Sequence, residues 1–344
     1  MNDRPGTGID VAREYFHAVV GRVVDRACPG VGYAAARVGP GSDVLGLDDT
    51  VSRDHDWGLR LQVFTDAGAV DDVRRALERD LPETFLGLPT RIQYSGSDRA
   101  SLGIDVATVG SFARRRLGFD PRAGMTDAQW LSVTGQAALE VVAGEVFADG
   151  PGDLTQLRDV LTWYPDDIWR YVVACGWHRI HQELPLMGRA GDRGDELGSR
   201  VIAARLTDAA VHLAFTLSRR WAPYSKWRGT AFRALPVASR IDDHLRRALG
   251  ATSWVERGDG LRSALEELAR LQADAGLPSC EEPIVPFWDR PYLSVEPTLV
   301  PAIHASITDP AAQGLPRGLG SIEQRTDNVD ILVDAHRRIA VVTV

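Results

Sequence analysis

Two periodicities of apolar residues divide the chain into a mixed N-terminal part and a helical middle part. Apolar residues recur every four positions through residues 9–27, which predicts an amphipathic helix. Short apolar segments further along predict strands at residues 31–39, 54–64, 91–95 and 102–109, with a helix at 68–80 between them. This order predicts an α+β palm, a mixed sheet with helices that is complete by about residue 125.

The middle of the chain follows a helical period from residue 127 to about residue 275. Two apolar stripes define it, and they consist of Trp169, Val173, Trp177, Ile180 and Leu184, and of Ile202, Leu206, Ala209, Leu213 and Leu217. We therefore expect an all-α helical bundle after the palm. Six prolines within residues 277–301 exclude a regular helix there and predict a stretch that runs across a surface. The expected domains are residues 1–125, 126–276 and a Pro-rich extension at 277–344.

Composition narrows the classes of partner. The 344 residues carry a formal charge of −8, which argues against duplex nucleic acid because phosphate backbones require basic surface. Three widely spaced cysteines form neither a disulfide framework nor a metal-binding spacing. The first residues contain no apolar leader, and no apolar run approaches ~18 residues. We expect a cytoplasmic protein without a membrane span.

One segment carries most of the chemistry. Gly41 and Ser42 form a small turn in which backbone N–H groups can approach a phosphate closely. Asp54 and Asp56 follow at i and i+2 on the next expected strand, so both carboxylates lie on one face. Paired carboxylates suit a divalent metal ion that also holds a triphosphate. The segment therefore predicts nucleotidyl transfer, against the alternative that these acids are solvated or cap turns.

A third carboxylate is expected from a neighbouring strand. Asp105 is the best candidate, because Ile104 and Val106 would be buried on the opposite face of that strand. The acids in the loop itself are more typical of turns, although Asp43 is the one among them that could contact the nucleotide.

The motif resembles the Gly-Ser and Asp-x-Asp signature of the polymerase-beta-like nucleotidyltransferase superfamily. The segments SRDHDWG, LTWYPDDIWRY, GRAGDRGDELGSRVIAARL and APYSKWRGTAF resemble more closely an uncharacterised two-domain bacterial branch, domain-of-unknown-function family 4037. The resemblance covers residues 30 to 240. It implies a nucleotidyltransferase palm followed by a helical domain. Many relatives carry an arginine shortly after the Gly-Ser pair, where this chain has Asp43 and Val44.

The resemblance implies attack by an acceptor hydroxyl on the α-phosphate of a nucleoside triphosphate, with ATP favoured and pyrophosphate released. Mg²⁺ held by Asp54 and Asp56 would neutralise the triphosphate, and Asp105 would bind metal or accept the hydroxyl proton. A small molecule is the expected acceptor. Two alternatives stay open: adenylylation of a protein partner, and a catalytically silent nucleotide-binding protein.

The helical part offers further candidates. Lys226, set beside Tyr224, could reach the triphosphate, although a surface lysine lying over Trp227 is the plainer interpretation. The run 188–196 is expected to open a helix that places Asp192, Glu196 and Arg200 on one face. Glu196 is then a candidate general base and Arg189 a candidate phosphate ligand. The alternative is that these acids only complement the helix dipole.

Overall fold

A computed structural model of the chain describes residues 6–49, 57–93 and 99–343. The chain divides into two compact units, which comprise Met1–Met125 with Ala137–Thr162, and Thr126–Gln136 with Trp163–Val344. The expected boundary at residue 125 assigned residues 137–162 to the helical part. In the structure these residues belong to the first unit, because one of its strands lies among them.

The first unit alternates short helices and strands. Its elements are α1 (Gly8–Tyr15), a π-helical turn (Phe16–Val20), α2 (Gly21–Ala27), β1 (Tyr33–Arg37), β2 (Leu61–Thr65), α3 (Val70–Asp80), β3 (Thr84–Phe85), β4 (Leu88–Pro89), β5 (Arg91–Gln93), β6 (Ala100–Leu102), β7 (Ile104–Ala107), α4 (Val109–Leu117), a 3₁₀ turn (Pro121–Ala123), β8 (Glu145–Asp149) and α7 (Asp153–Val160). Thr7 begins α1 with a reciprocal capping box, in which its hydroxyl accepts from the Asp10 N–H group.

Four strands form one mixed sheet in the order β7-β2-β1-β8. β1 runs antiparallel to β2 and to β8, whereas β2 and β7 run parallel. All five residues of β2 are buried, which is expected of a strand covered on both faces. Leu61 and Val63 therefore face one layer of helices, and Gln62 and Phe64 face the other.

The helices α1, α2 and α3 cover the first face. Their side chains, such as Tyr15 and Leu77, form one core cluster with Leu61 and Val63. On the opposite face, Phe64 contacts Phe112 of α4 with ring centroids 5.2 Å apart. β7 continues this arrangement, because its second residue pairs in register with Gln62 of β2 and therefore shares the α4 face.

The expectation of a helical region from about residue 127 to residue 275 does not hold at residues 145–149. These residues form β8, which pairs with the edge of β1 and supplies partners for its backbone. Arg13 of α1 donates from Nε to Glu145 at 2.6 Å and fixes the start of the strand. This ion pair raises the pKa of Arg13 and lowers that of Glu145.

The second unit is mostly helical. Its elements are α5 (Asp127–Ser132), α8 (Asp166–Asp192), α9 (Glu196–Leu217), α10 (Ser225–Phe232), α11 (Ala238–Gly250), α12 (Trp254–Asp274), β9 (Ile284–Pro286), β10 (Leu293–Val295), α13 (Leu299–Ala305), α14 (Pro310–Gln313), α15 (Ile322–Arg325), α16 (Val329–Leu332) and α17 (Ala335–Thr343), while α6 (Gly135–Val142) contains the boundary between the units. None of the helices in the described ranges combines the length and apolar character needed to cross a bilayer.

The bundle core lies among α8, α9, α11 and α12. The five stripe residues predicted on α8 are buried, and the indole N–H groups of its two tryptophans have hydrogen-bond partners. Trp169 donates to the Thr216 carbonyl at 2.7 Å, and Trp177 donates to Gln272 Oε1 at 2.5 Å. The predicted fold class, a mixed sheet with helices followed by a largely helical region, is confirmed.

Asp167 connects the beginning of α8 to the segment between α13 and α14. Its carboxylate accepts from the hydroxyl of Thr308 and from the Asp309 N–H group, both at 2.8 Å. Burial by itself raises the pKa of Asp167, but these hydrogen bonds and the one from Arg170 outweigh it and lower the pKa to about 2.

The Pro-rich stretch and the C-terminal residues are more regular than expected. Residues 284–295 form the β9–β10 hairpin, and α13 begins at Leu299 with Pro301 in its first turn, where a missing N–H costs little. The final described residues form short helices. Arg338 of α17 is buried and donates from Nε to the Ser132 carbonyl at 3.1 Å, which fixes the last helix on α5.

Candidate functional site

The turn after β1, which we call the Gly-Ser loop (residues 39–49), is held by a buried ion pair. Arg37 is fully buried and donates from Nε and Nη2 to the two carboxylate oxygens of Asp43, at 2.6 and 2.7 Å. It also donates to the carbonyls of Val38 and Pro40, at 2.8 and 3.0 Å. A single guanidinium therefore binds the strand end, the turn and the residue that leaves the turn.

Gly41 cannot be replaced without disturbing this pair. Its backbone φ angle is +146°, in a region that residues other than glycine rarely adopt. A Cβ atom at this position would overlap with Asp43 Oδ1 and Arg37 Nη2. The glycine that the sequence singled out for phosphate approach is thus also required by the packing of the loop.

Asp48 connects the Gly-Ser loop to its two flanks. Its Oδ2 atom accepts from the N–H group of Gly8 at the start of α1, at 2.7 Å, and from Trp57 Nε1 at 3.3 Å. Within the loop, the Ser42 carbonyl accepts from the N–H groups of Leu45 and Leu47. The loop is therefore fixed at its base by Arg37 and at its far end by Asp48.

The Gly-Ser loop has backbone N–H groups that are available as hydrogen-bond donors. No described residue accepts a hydrogen bond from the N–H groups of Gly41, Ser42 or Asp43. Consecutive backbone N–H groups without partners form an anion-binding concavity. Both oxygens of the Asp43 carboxylate are engaged by Arg37, so this side chain positions the loop, and the nucleotide contact expected of residue 43 would have to come from its N–H group.

The two acids expected to hold the metal, Asp54 and Asp56, lie outside the described residues. Asp105 lies within them, at the second position of β7, between the buried residues Ile104 and Val106. Its carboxylate is about half exposed and accepts from Arg115 at 2.5 Å. The expected alternation along this strand is confirmed, and the metal-binding role of Asp105 stays a prediction. Among the described residues, no three His, Cys, Asp or Glu side chains group as a metal site.

The run from residue 188 to residue 196 does not open one helix, so that expectation was wrong. α8 ends at Asp192, Gly194 has φ +80°, and α9 begins at Glu196 after the cap residue Asp195. Asp192 therefore does not share a helix face with Glu196, and it accepts instead from the hydroxyl of Tyr292 at 2.8 Å. A left-handed glycine followed by a capping aspartate ends one helix and begins the next.

Glu196 is engaged by cations. Arg257 is fully buried and donates to its carboxylate at 2.8 Å, while Arg200 lies 3.4 Å away. The hydrogen bond from Arg257 holds the pKa of Glu196 below its ordinary value. A general base that works near neutral pH benefits from a raised pKa, so this environment favours a structural role for Glu196.

The glycines near Arg189 serve helix packing. A Cβ at Gly191 would overlap with Trp254 of α12, and one at Gly188 would lie 3.1 Å from the Tyr292 ring. These two glycines therefore fit closely against aromatic side chains of this unit. Arg189 itself is exposed in the last turn of α8.

Lys226 and Tyr224 lie at the beginning of α10. Tyr224 is the cap residue and is 42% exposed. The ammonium of Lys226 lies 4.9 Å from the centroid of the Trp227 ring, within the range of a cation–π contact. This contact is the one expected of a surface lysine that lies over Trp227, and the Lys226 side chain is exposed to solvent. A contact of Lys226 with triphosphate stays a prediction.

Sequence reasoning missed Arg37. It ends the segment YAAAR, in which a single charge follows small apolar residues on a buried strand. A charge at such a position needs a nearby partner, because burying an isolated ion costs several kcal/mol. That pattern, together with Asp43 shortly after it, could have indicated the ion pair.

Residues 130–228 match the family described as Domain of unknown function (DUF4037). The resemblance to this family that the motifs predicted is thereby confirmed for these residues. A solved structure that resembles the chain is that of a nucleotidyltransferase-like protein from Exiguobacterium sibiricum 255-15, with 12% identity over 76% of this chain and 74% of that chain and a TM-score of 0.31. None of the curated proteins matches.

The residues that match DUF4037 and the residues of the Gly-Ser loop are two separate sets of candidate site residues. The matched residues include Arg189, Glu196, Tyr224 and Lys226, whereas the Gly-Ser loop precedes the match. The N-terminal candidates therefore depend on their own geometry.

Proposed function

We propose that this chain is a Mg²⁺-dependent nucleotidyltransferase that moves a nucleoside monophosphate from a nucleoside triphosphate to a hydroxyl group of a small molecule. The observation that carries the proposal is the Gly-Ser loop, a turn fixed by the buried Arg37–Asp43 pair whose N–H groups at residues 41–43 keep no partner among the described residues. Asp54 and Asp56 follow this loop in the sequence.

Each part of the loop has a role in the proposed reaction. The N–H groups of Gly41, Ser42 and Asp43 would bind phosphate oxygens, as backbone donors do in other phosphate-binding turns. Because Arg37 and Asp48 hold the loop before the ligand arrives, little ordering cost would accompany binding.

The donor set suits magnesium, since carboxylate oxygens are the protein ligands that Mg²⁺ prefers. Asp54 and Asp56 would hold the ion with help from Asp105, whose exposed carboxylate lies on the same sheet face as Gln62. When bound, the ion supplies charge neutralisation for the triphosphate and the leaving group.

The reaction itself needs positioning more than covalent help from the protein. The acceptor oxygen attacks the α-phosphorus, the bond from that phosphorus to the bridging oxygen breaks, and pyrophosphate leaves. Asp105 is the proposed acceptor of the hydroxyl proton, because its exposed carboxylate lies on the same sheet as β1, the strand that leads into the Gly-Ser loop.

The proposal is tested by calorimetric binding of the non-hydrolysable analogue α,β-methylene-ATP in the presence of Mg²⁺. Asp56→Asn should abolish magnesium-dependent binding and leave the melting temperature unchanged. The matched control is Asp66→Asn, an exposed aspartate just after β2. Release of pyrophosphate from each of the four triphosphates, with and without cell extract as the acceptor source, tests turnover. Equal affinities of wild type and Asp56→Asn, or absence of both binding and pyrophosphate release in wild type, would refute the proposal.

A further inference from the structure

Two nitrogen donors converge above Gly39, at the entrance of the Gly-Ser loop. Gly39 has φ +86°, and the position that a Cβ would occupy lies 3.6 Å from Arg116 Nη2 and 3.7 Å from Gln62 Nε2. The ring of Phe112 lies 3.9 Å from the same point. We call this place the Gly39 cradle. Only glycine leaves the cradle open, since any side chain would fill it.

The sheet and α4 fix both donors. Gln62 is 8% exposed, and its Oε1 atom accepts from the Val38 N–H group at 3.0 Å, which leaves the amide nitrogen to face the cradle. Gln62 points toward α4 because it alternates with Leu61 and Val63, whose side chains face the other layer.

Arg116 is held from two sides in the last turn of α4. Its Nη1 atom lies 3.2 Å from Glu140 Oε2, and its guanidinium carbon lies 5.9 Å from the centroid of the Phe112 ring. The side chain keeps 33% of its surface exposed, so solvent and ligands can reach it. A guanidinium that is positioned in advance and partly exposed is well suited to bind phosphate oxygens.

We propose that Arg116 and Gln62 form an anion subsite of the nucleotide site and bind the triphosphate chain next to the Gly-Ser loop. This inference rests on the proposed function. It adds a side-chain cation to a loop that otherwise offers backbone donors, in a chain whose formal charge is −8. Gln62 contributes a second, neutral donor.

The negative charge of Glu140 should weaken the binding of a phosphate at Arg116. Its carboxylate lies against Arg116 and neutralises part of the charge that a phosphate would use. The subsite therefore predicts opposite effects at two neighbouring positions. Removing the charge of Arg116 should weaken triphosphate binding, whereas removing the charge of Glu140 should strengthen it.

The test measures binding of α,β-methylene-ATP, inorganic triphosphate and adenosine by calorimetry with Mg²⁺. Arg116→Gln should weaken binding of the two triphosphate ligands about tenfold to a hundredfold, the scale of a lost hydrogen bond to a charged group, and leave adenosine unaffected. Glu140→Gln should tighten the same two ligands severalfold. The matched control is Arg114→Gln, an exposed arginine in the same turn of α4, which should change the affinity less than twofold.

A double variant distinguishes a loss of triphosphate binding from a loss of folding. Arg116→Gln leaves Glu140 without this partner, so Arg116→Gln with Glu140→Gln removes both charges, and its melting temperature and triphosphate affinity are measured together. A folded double variant that binds triphosphate as tightly as Glu140→Gln alone would overturn the inference, as would equal affinities of Arg116→Gln and Arg114→Gln. In either case the proposed function survives if Asp56→Asn still loses binding. If wild type binds neither triphosphate ligand, both proposals are wrong.

Discussion

The buried pair between Arg37 and Asp43 should decide the stability of the Gly-Ser loop. Asp43→Ala removes two hydrogen bonds of 2.6 and 2.7 Å and takes the Asp43 carboxylate away from a guanidinium that is fully buried. Removing one partner of a buried pair costs about 3–5 kcal/mol, because the remaining charge stays desolvated. A loss of this size is a large fraction of the ~5–15 kcal/mol that stabilises a typical domain.

A surface pair in the same unit provides the comparison. Asp72 and Arg75 form an ion pair on α3 with about two-thirds of each side chain exposed, at 65% and 67%. Asp72→Ala should therefore cost at most about 1 kcal/mol, including the loss of a favourable charge near the beginning of the helix. The two variants remove the same residue type from the same kind of pair, so burial is the variable that differs.

The assay is unfolding in urea. It is monitored by hydrogen exchange of the peptides that contain β1 and the Gly-Ser loop. This readout reports the first unit directly, whereas the fluorescence of nine tryptophans would mix both units. For a slope of about 2 kcal/mol per M, Asp43→Ala should lower the midpoint by roughly 1.5–2.5 M. The double variant Arg37→Ala with Asp43→Ala should lose less than the sum of the single variants, because the two side chains contact each other directly.

Equal midpoints for Asp43→Ala and Asp72→Ala would refute this reasoning. That result would mean that the loop is held by its other contacts, chiefly those of Asp48 with Gly8 and Trp57. Additive losses in the double variant would contradict it in the same way, since a true ion pair couples the two positions.

Three further predictions concern the second unit. Lys226→Ala should weaken binding of triphosphate by about 1.5–3 kcal/mol and that of monophosphate far less, and equal losses by calorimetry would limit Lys226 to a packing role. Gly191→Ala should cost about 1–3 kcal/mol in thermal unfolding because its Cβ would overlap with Trp254, whereas Gly229→Ala, where nothing lies within 4 Å, should be neutral or slightly stabilising. Asp167 has a folded pKa of about 2, below its ordinary value of 3.8, so its contribution, on the order of 1 kcal/mol after solvent screening, is present above pH 4 and lost as the pH falls from about 4 to about 2. Acid unfolding curves of wild type and Asp167→Asn that keep a constant separation through this window would contradict the assignment.

Much of the fold followed from local patterns. The apolar stripe of α8 predicted a buried helix because residues at helical spacing share one face whatever lies against it. The alternation in β7 predicted an exposed Asp105 between buried neighbours for the same kind of reason. In both cases the sequence pattern and the burial that it predicts belong to a single helix or strand.

The break between α8 and α9 was predictable but overlooked. Gly194 in the left-handed region and Asp195, which accepts from the Gly198 N–H group at 2.8 Å, end one helix and begin the next. Such capping signals are local, yet the regular spacing of Asp192, Glu196 and Arg200 suggested a continuous helix. The torsions of one glycine outweighed that spacing, because a left-handed residue cannot continue a right-handed helix.

By itself, the sequence determined the residue types of the candidate site, the order of elements and the faces that each element buries. Tertiary structure decided which distant segments pair. It brought β8 to the edge of β1, directed Arg37 onto Asp43 instead of solvent, engaged Glu196 with Arg257, and set Gln62 beside Arg116 above Gly39. The physical reason is that periodicity reports the environment of a residue along its own element, whereas the partner of a buried charge or a strand edge is fixed only when separate elements pack.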